Sequence, residues 1–224
     1  MAQKLKAVDL GSWSLKVVTL NRTLVGTGVA SVEERPMASR ADGKGRDREA
    51  WKLLREVLGD RRLVGDAITV SFPGERVLNR RLEVPFTDRS KVDQILPFEL
   101  EQHVPYAADA IVADYILRKA AGSGAELLAA VVPRAAAEEL HTELQAARLD
   151  PRVVGHPLVA MARLETLIRG TGSLEPMLLV DMGHTKTLAV LVLNGNILGL
   201  RSILRGGMAL TRRVAQGLGV EFDE

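Results

Sequence analysis

Residues 5–20 of the chain read LKAVDLGSWSLKVVTL, and this stretch decides the fold. Apolar residues on both sides of a short polar segment predict two strands joined by a tight turn. The turn brings together a carboxylate, a glycine, two hydroxyls and an amine, which belong to Asp9, Gly11, Ser12, Ser14 and Lys16. Backbone N–H groups and hydroxyls in such a turn can hold a phosphate group.

The same pattern returns at residues 178–193, LLVDMGHTKTLAVLVL. Asp181 and Gly183 occupy the positions that Asp9 and Gly11 have in the first stretch. The rest of this polar turn is supplied by Thr185, Lys186 and Thr187. Two apolar strand pairs, each interrupted by Asp-x-Gly and hydroxyl residues, predict a duplicated structural unit.

The composition predicts an aliphatic core. Of the residues, 46% are hydrophobic but only 4% are aromatic. The length of 224 residues is enough for one large domain or two small ones. The 30 basic and 28 acidic residues leave a net charge of +2, so charge does not predict a nucleic-acid partner. Cysteine is absent, which fits a reducing compartment.

The amino-terminal apolar run is too short for a signal peptide. No stretch approaches the roughly 20 apolar residues of a membrane span. We therefore expect any membrane association to come through a partner or through sequence beyond residue 224.

The first predicted subdomain covers residues 1–76 and follows a β-β-β-α-β order. Its third strand is predicted at residues 24–32. Asp47 is expected to cap the helix at its start, and Gly59 to end it. A fourth strand is predicted at residues 67–72. This order opens an RNase-H-like unit.

An inserted α+β subdomain is predicted at residues 77–153, in the order β-α-β-β-α-β. Either Thr87 or Asp88 is expected to cap its first helix. Pro97 interrupts that helix pattern, and because proline inside a helix costs about 3 kcal/mol, we expect a kink or a restart there.

A second RNase-H-like subdomain is predicted at residues 154–224. A helix at 159–168 leads into it, Asn194-Gly195 predicts a hairpin turn, and Gly206-Gly207 opens its last helix. With three strands and one helix it is incomplete beside the first subdomain. An unfinished sheet exposes a strand edge, so we expect a homodimer built through residues 178–224.

These motifs, in this order, resemble the PilM/GspL branch of the actin-like, FtsA-like superfamily. The resemblance implies an α/β fold of two RNase-H-like subdomains with an inserted α+β subdomain. It is carried by Asp9-Leu10-Gly11-Ser12 with Lys16, by FELEQ at 98–102 and VPY at 104–106 before Asp114-Tyr115, by Asp181-Met182-Gly183, and by Arg205-Gly206-Gly207 ahead of Leu210-Thr211.

The resemblance implies a scaffold domain on the cytoplasmic face of the inner membrane. A type II secretion protein of the GspL kind is favoured, because its cytoplasmic part is similar in length to this chain. Such a domain would dock the secretion motor ATPase (GspE-like) and inner-membrane platform proteins. The alternatives are a PilM-like type IV pilus assembly protein and an FtsA-like nucleotide-binding actin homologue.

The resemblance also implies a vestigial nucleotide site. In it, Asp9 and Asp181 would hold Mg²⁺ through water if a Mg-nucleotide binds. His184 and Lys186 stand where this family's second turn is typically small, so neither a resident cofactor nor ATP hydrolysis is expected. The candidate nucleotide-binding residues are Asp9, Gly11, Ser12, Ser14, Lys16, Asp181, Gly183, Thr185, Gly206 and Gly207.

A structural role for the same turns stays open, since an Asp-x-Gly turn can simply cap its own backbone. The four histidines show no metal-ligand spacing, and no Walker A, Gly-x-Ser-x-Gly or Gly-x-Gly-x-x-Gly motif occurs. No catalytic residue is therefore predicted.

Overall fold

The computed structural model describes residues 3–37, 46–59, 63–119 and 124–220. The chain divides into two compact units, of which the first is Met1–Glu75 with Glu143–Glu224 and the second is Arg76–Thr142. No helix within the described ranges is long and apolar enough to cross a membrane.

The strands are β1 (Gln3–Leu10), β2 (Ser14–Arg22), β3 (Thr27–Pro36), β4 (Leu63–Ser71), β5 (Leu78–Val84), β6 (Ile111–Lys119), β7 (Ala125–Pro133), β8 (Leu149–Gly155), β9 (Met177–Met182), β10 (Thr187–Leu193) and β11 (Asn196–Ile203). The α-helices are α1 (Arg46–Leu58), α2 (Arg89–Glu101), α3 (Arg134–Ala146), α4 (Pro157–Arg169) and α5 (Gly207–Leu218). Short 3₁₀ turns occupy Gly74–Arg76 and Ala108–Ala110.

The first unit contains a five-stranded sheet in the order β3-β2-β1-β4-β8. The β1–β2–β3 meander is antiparallel, whereas β4 runs parallel to β1 and β8 parallel to β4. Side chains alternate along β2, so that Leu15 and Val17 are buried while Lys16 is exposed. Helix α1 packs against β2 and buries Leu54 completely. The predicted β-β-β-α-β unit is thereby confirmed.

A second sheet in the same unit has the order β11-β10-β9 and is antiparallel throughout. Helix α4 packs against β10 and buries Leu158 and Ala162. The β10–β11 hairpin turns at Asn194 (φ 50°) and Gly195 (φ 73°). Two positive φ angles in succession are what the Asn-Gly pair accommodates, so the predicted hairpin is confirmed.

The second unit has its own antiparallel sheet in the order β5-β7-β6. Its core contains the completely buried Val92 and Leu100 of α2 with Leu127 and Val131 of β7. Strand β7 alternates buried and half-buried residues, because successive side chains point to opposite faces of the sheet and one face packs on this core.

The structure excludes one of the two outcomes expected at Pro97: helix α2 runs through it without a restart, and a kink there stays a prediction. Proline lacks an N–H, and the carbonyl of Asp93 consequently loses its helical donor there. Packing of Val92, Leu96 and Leu100 holds the helix together across this gap. At its start, the side chain of Asp88 accepts the N–H of Lys91 at 3.0 Å.

The strand predicted at residues 24–32 begins later than expected. Leu24 and Val25 lie in the turn before β3 and are almost fully exposed. The reason is the side chain of Thr23, whose Oγ1 accepts the N–H groups of both Val25 and Gly26 at 3.3 Å. A threonine hydroxyl that competes for backbone donors favours a turn over a strand.

The boundary of the insert also differs. The prediction placed all of residues 77–153 in one module, but β8 pairs with β4, with Val70 opposite Val154. The sequence shows that β8 is a strand but does not show its distant partner. The division into subdomains 1–76, 77–153 and 154–224 otherwise stays a prediction, as does a capping role for Asp47, whose side chain lies outside the described residues.

Candidate functional site

The two Asp-x-Gly turns lie against each other in the first unit. The N–H of Thr185 in the second turn donates to Oγ of Ser12 in the first, over 3.2 Å. Beside this bond, the rings of Trp13 and His184 have centroids 4.9 Å apart at an interplanar angle of 50°. The β1–β2 turn and the β9–β10 turn therefore form one continuous structure.

The first turn is tight at Gly11. A Cβ atom on Gly11 would lie 2.7 Å from the carbonyl oxygen of Ser14, so only glycine fits without movement of the backbone. The Nζ atom of Lys16 lies 3.9 Å from Asp9 and 4.0 Å from Glu34. Lys16 is thus shared between two exposed carboxylates.

Ser14 is bonded within the protein, and its predicted role toward nucleotide stays a prediction. Its side chain is completely buried and donates from Oγ to a carboxylate oxygen of Glu34 at 2.5 Å. The hydroxyl therefore fastens the start of β2 to β3, and in this structure it is engaged by the protein itself.

The second turn is closed by the N–H of Gly183, which donates to the carbonyl of Lys186 at 2.9 Å. The Lys186 ammonium forms an ion pair with Glu75, which lies in the 3₁₀ turn after β4. Both side chains of this pair are largely shielded from solvent. The pair ties the second turn to the end of the first repeat.

Helix α5 begins directly against the second turn. The N–H of Gly207 donates to the carbonyl of Gly183 at 2.9 Å, and that of Met208 to the carbonyl of His184 at 2.8 Å. A Cβ atom on Gly206 would lie 2.3 Å from the Gly183 oxygen, so glycine permits this approach. The N–H groups at a helix start can bind an anion, but those of Gly207 and Met208 are hydrogen-bonded to the second turn.

Charges of both signs surround Asp9. The pKa of its carboxyl is raised, chiefly because the surrounding chain displaces water, an effect limited by the 56% of the side chain that still faces solvent. Lys16 and Lys186 oppose this shift, whereas Asp181 and Glu75 add to it. Carboxylates close together suit Mg²⁺ as hard oxygen ligands. Among the described residues, however, no group of three or more histidine or acidic side chains is placed to hold a metal ion.

The structure brings together most of the predicted site residues. Ser12 meets Thr185, Gly183 meets Gly206 and Gly207, and Asp9 lies within electrostatic reach of Asp181. The contacts that the sequence did not predict are those of Trp13, Glu34, Glu75 and His184.

Of these, Trp13 and His184 carried a signal in the sequence, His184 because of its size in a turn that is typically small. An aromatic side chain at the tip of a polar turn, 37% exposed here, stands out beside the small residues around it. Glu75 gave none, because its partner Lys186 lies 111 positions away. Roles of these residues toward nucleotide or Mg²⁺ stay predictions.

Comparison with known proteins finds similarity over nearly the whole chain. A family model described as type IV pilus assembly protein PilM matches residues 7–224. The chain is also similar in structure to the PilM–PilN type IV pilus biogenesis complex, with a TM-score of 0.79 and 18% identity over 97% of this chain and 66% of that chain.

A further similar structure is the cytoplasmic domain of EpsL, an inner-membrane component of the type II secretion system of Vibrio cholerae. Here the TM-score is 0.58 and the identity 14%, over 95% of this chain and 75% of that chain. At these identities the likeness shows the fold, and the predicted actin-like α/β class is confirmed. The chain spans about two thirds of the PilM chain, 66% of its length.

Proposed function

The chain belongs to the type IV pilus assembly protein PilM family, and from this premise we propose that it is a scaffold domain of an inner-membrane assembly platform. The observation that carries the proposal is the family match, which extends over residues 7–224. The closed Asp-x-Gly turns support it, because their donors are bonded within the protein rather than held ready for a substrate.

The machine that the scaffold serves is proposed to be a type IV pilus. Sequence reasoning favoured a GspL-like role in type II secretion and kept PilM as the alternative. The family model is PilM's, and the TM-score to the PilM–PilN structure is 0.79 against 0.58 for the EpsL domain. We therefore place the pilus role first and the type II secretion role second.

The partners follow from this role. PilM occurs with PilN in the similar structure, and we propose that a PilN-like membrane protein binds this chain. A motor ATPase of the GspE kind is proposed as the second partner, and the cytoplasmic side of the inner membrane as the location. We also propose that the chain self-associates as a two-fold dimer.

Reciprocal purification tests the scaffold role. An affinity-tagged chain is expressed in its own cells and purified from detergent-solubilised membranes, and the bound proteins are identified by mass spectrometry. A PilN-like protein and a secretion-type ATPase are expected, and tagging each of these should recover the chain in return. The scaffold role would be contradicted if the tagged chain recovered neither partner and neither tagged partner recovered the chain.

Nucleotide binding is the second candidate function. It is favoured by one observation, that Asp9 lies within electrostatic reach of Asp181, Lys16 and Lys186. Titration with a fluorescent ATP analogue in the presence of Mg²⁺ tests it. Saturable binding that is lost in Asp9→Asn would establish the site, whereas equal signals from both proteins would exclude this role for Asp9.

A further inference from the structure

Two groups of contacts join the first repeat of the chain to the second. In one group, the N–H of Thr185 donates to Oγ of Ser12 over 3.2 Å. Beside that bond, the ring centroids of Trp13 and His184 lie 4.9 Å apart. We call these four residues, which all belong to the two polar turns, the latch. The latch holds the tips of the turns against each other.

The other group surrounds Gly74 in the 3₁₀ turn after β4. A Cβ atom on Gly74 would lie 2.9 Å from Cγ of Pro157 and 3.4 Å from Cδ2 of Leu188, so the backbone packs closely on α4 and β10. The carbonyl of Gly74 also accepts the hydroxyl of Ser202 at 3.2 Å. Since Gly74 and Leu188 are both buried, close packing makes this group the fixed junction between the repeats.

The latch is the weaker of the two groups. Trp13 is 37% exposed, and the bond from Thr185 to Ser12 joins two neutral groups, a kind of hydrogen bond that stabilises a contact only modestly. Contacts of this kind open locally while the packed parts of a fold stay closed. The turns can therefore separate while the junction at Gly74 keeps the repeats together.

The charges around the closed turns oppose an anion. The ammonium of Lys186 forms an ion pair with Glu75 and is largely shielded from solvent. The ammonium of Lys16 lies within 4.0 Å of carboxylate oxygens of both Asp9 and Glu34. Among these five groups negative charge is in excess, which disfavours a phosphate group at the closed turns.

We propose that the latch is an autoinhibitory contact: it closes the two turns on each other, and the polyphosphate group of a Mg²⁺-nucleotide binds only when it opens. This inference rests on the nucleotide binding proposed above as the second candidate function and names the contact that regulates it. Opening releases the hydroxyl of Ser12 and the N–H of Thr185, groups that can hold phosphate in a turn. Release of Lys186 from Glu75 adds a cation that offsets phosphate charge.

A permanent structural tie between the repeats is the alternative. Close packing around Gly74 already supplies such a tie. The latch instead engages the hydroxyl and the N–H at the tips of the turns, which are the groups that a bound phosphate would need. The observations therefore favour a contact that opens.

The ring contact can be removed from either side without changing a proposed phosphate ligand. Trp13→Ala and His184→Ala each remove it. Both variants should bind Mg²⁺-tripolyphosphate about 2- to 10-fold more tightly than the wild type in isothermal titration calorimetry, because an aromatic pair no longer opposes opening. Phe98→Ala, which removes an exposed aromatic ring from α2, is the matched control and should leave the affinity unchanged. Circular dichroism shows which variants retain the fold.

The ion pair gives an independent test, because each partner can be removed alone. Glu75→Gln releases the ammonium of Lys186, whereas Lys186→Gln breaks the same pair and leaves no cation. Affinity for Mg²⁺-tripolyphosphate should rise at least ~10-fold in Glu75→Gln and should not rise in Lys186→Gln. Glu56→Gln, which removes the carboxylate partner of Lys52 on α1, controls for the change in net charge.

The outcomes separate the latch from the nucleotide site. Tighter binding in the ring variants supports the latch, provided that adding Lys16→Gln abolishes the gain. A gain that survives Lys16→Gln places the ligand elsewhere and overturns the latch, as does a gain in Glu75→Gln alone, which is an effect of charge. If the wild type binds as tightly as the ring variants, the nucleotide site stands and the latch is overturned. If no protein binds tripolyphosphate, the latch is overturned, and the titration with the ATP analogue decides separately on nucleotide binding.

Discussion

Glu165, which is completely buried in α4, accepts the backbone N–H of Gly195 through Oε2 at 2.9 Å. Its other oxygen accepts the N–H of Asn194 at 3.3 Å. One carboxylate thus satisfies both donors of the β10–β11 turn and fastens that turn to the helix beneath the sheet. A buried charge is tolerated where hydrogen bonds to it are made in this way.

Replacing this carboxylate should destabilise the fold. In Glu165→Gln at most one amide oxygen remains to face the two N–H groups, and the new NH₂ group is a donor among donors. Hydrogen bonds to a charged group contribute about 1.5–3 kcal/mol, and we expect a loss of this order in the free energy of unfolding measured with urea. Glu138→Gln, at an exposed position of α3, is the control and should stay within about 0.5 kcal/mol. An equal effect in both variants would contradict the role of Glu165.

Acid should loosen α4 through His156. Its Nδ1 caps the helix by accepting the N–H of Leu158 at 3.1 Å, which requires an unprotonated nitrogen. Burial lowers the pKa of His156 to about 4 from its usual 6.5. Because the folded-state pKa lies below the unfolded value, the capped state is fully favoured above pH 6.5, and this contribution is lost as the pH falls toward 4.

The measurement for this cap is the free energy of unfolding as a function of pH in the wild type and in His156→Asn. Asparagine can cap a helix but does not titrate. The wild type should lose more stability than the variant between pH 6.5 and pH 4. Parallel curves for the two proteins would show that the capping nitrogen is not the group that titrates.

The sequence predicted those parts of the fold that depend on local patterns. The Asp-x-Gly turns, the Asn194-Gly195 hairpin and the helix that starts at Gly207 were found because each is specified by adjacent residues. The partner of β8 was not found, since strand pairing across the chain leaves no mark on the strand itself.

The candidate site divides in the same way. Its glycines and aspartates were predicted from two short motifs, and their position beside each other follows from the duplicated unit. The contacts that join the turns to each other and to Glu75 were not predicted. Lys186 was judged by its bulk, but its partner Glu75 comes from the end of β4, and only the folded chain brings the two together.

Gly206 should tolerate no side chain. Its Cβ would lie 2.3 Å from the carbonyl oxygen of Gly183 and 2.6 Å from that of His184, both of which are backbone atoms. Gly206→Ala must therefore separate α5 from the second turn or distort that turn. We expect a loss of about 1–3 kcal/mol in the free energy of unfolding. The neighbouring Gly207 has no atom closer than 3.8 Å to such a Cβ, so Gly207→Ala is the matched control and should be nearly neutral. The measurement is the thermal unfolding temperature of the wild type, Gly206→Ala and Gly207→Ala. If Gly206→Ala unfolds at the same temperature as the wild type, the close approach at Gly206 is refuted.

The purified chain is expected to show no steady ATP hydrolysis. The N–H of Thr185 is bonded to Ser12, and the first N–H groups of α5 are bonded to carbonyls of the second turn. Preorganised donors aimed at the developing charge supply the largest part of many rate enhancements, and here the corresponding donors already have partners. Lys186, which would otherwise offset phosphate charge, is paired with Glu75.

Phosphate release with ATP and Mg²⁺ should therefore match a protein-free control in the wild type and in Asp9→Asn alike. Ser12→Ala frees the Thr185 donor without adding a catalytic group, and it too should stay at background. Turnover in the wild type that disappears in Asp9→Asn would show that the turns open to admit nucleotide and would make this chain an enzyme.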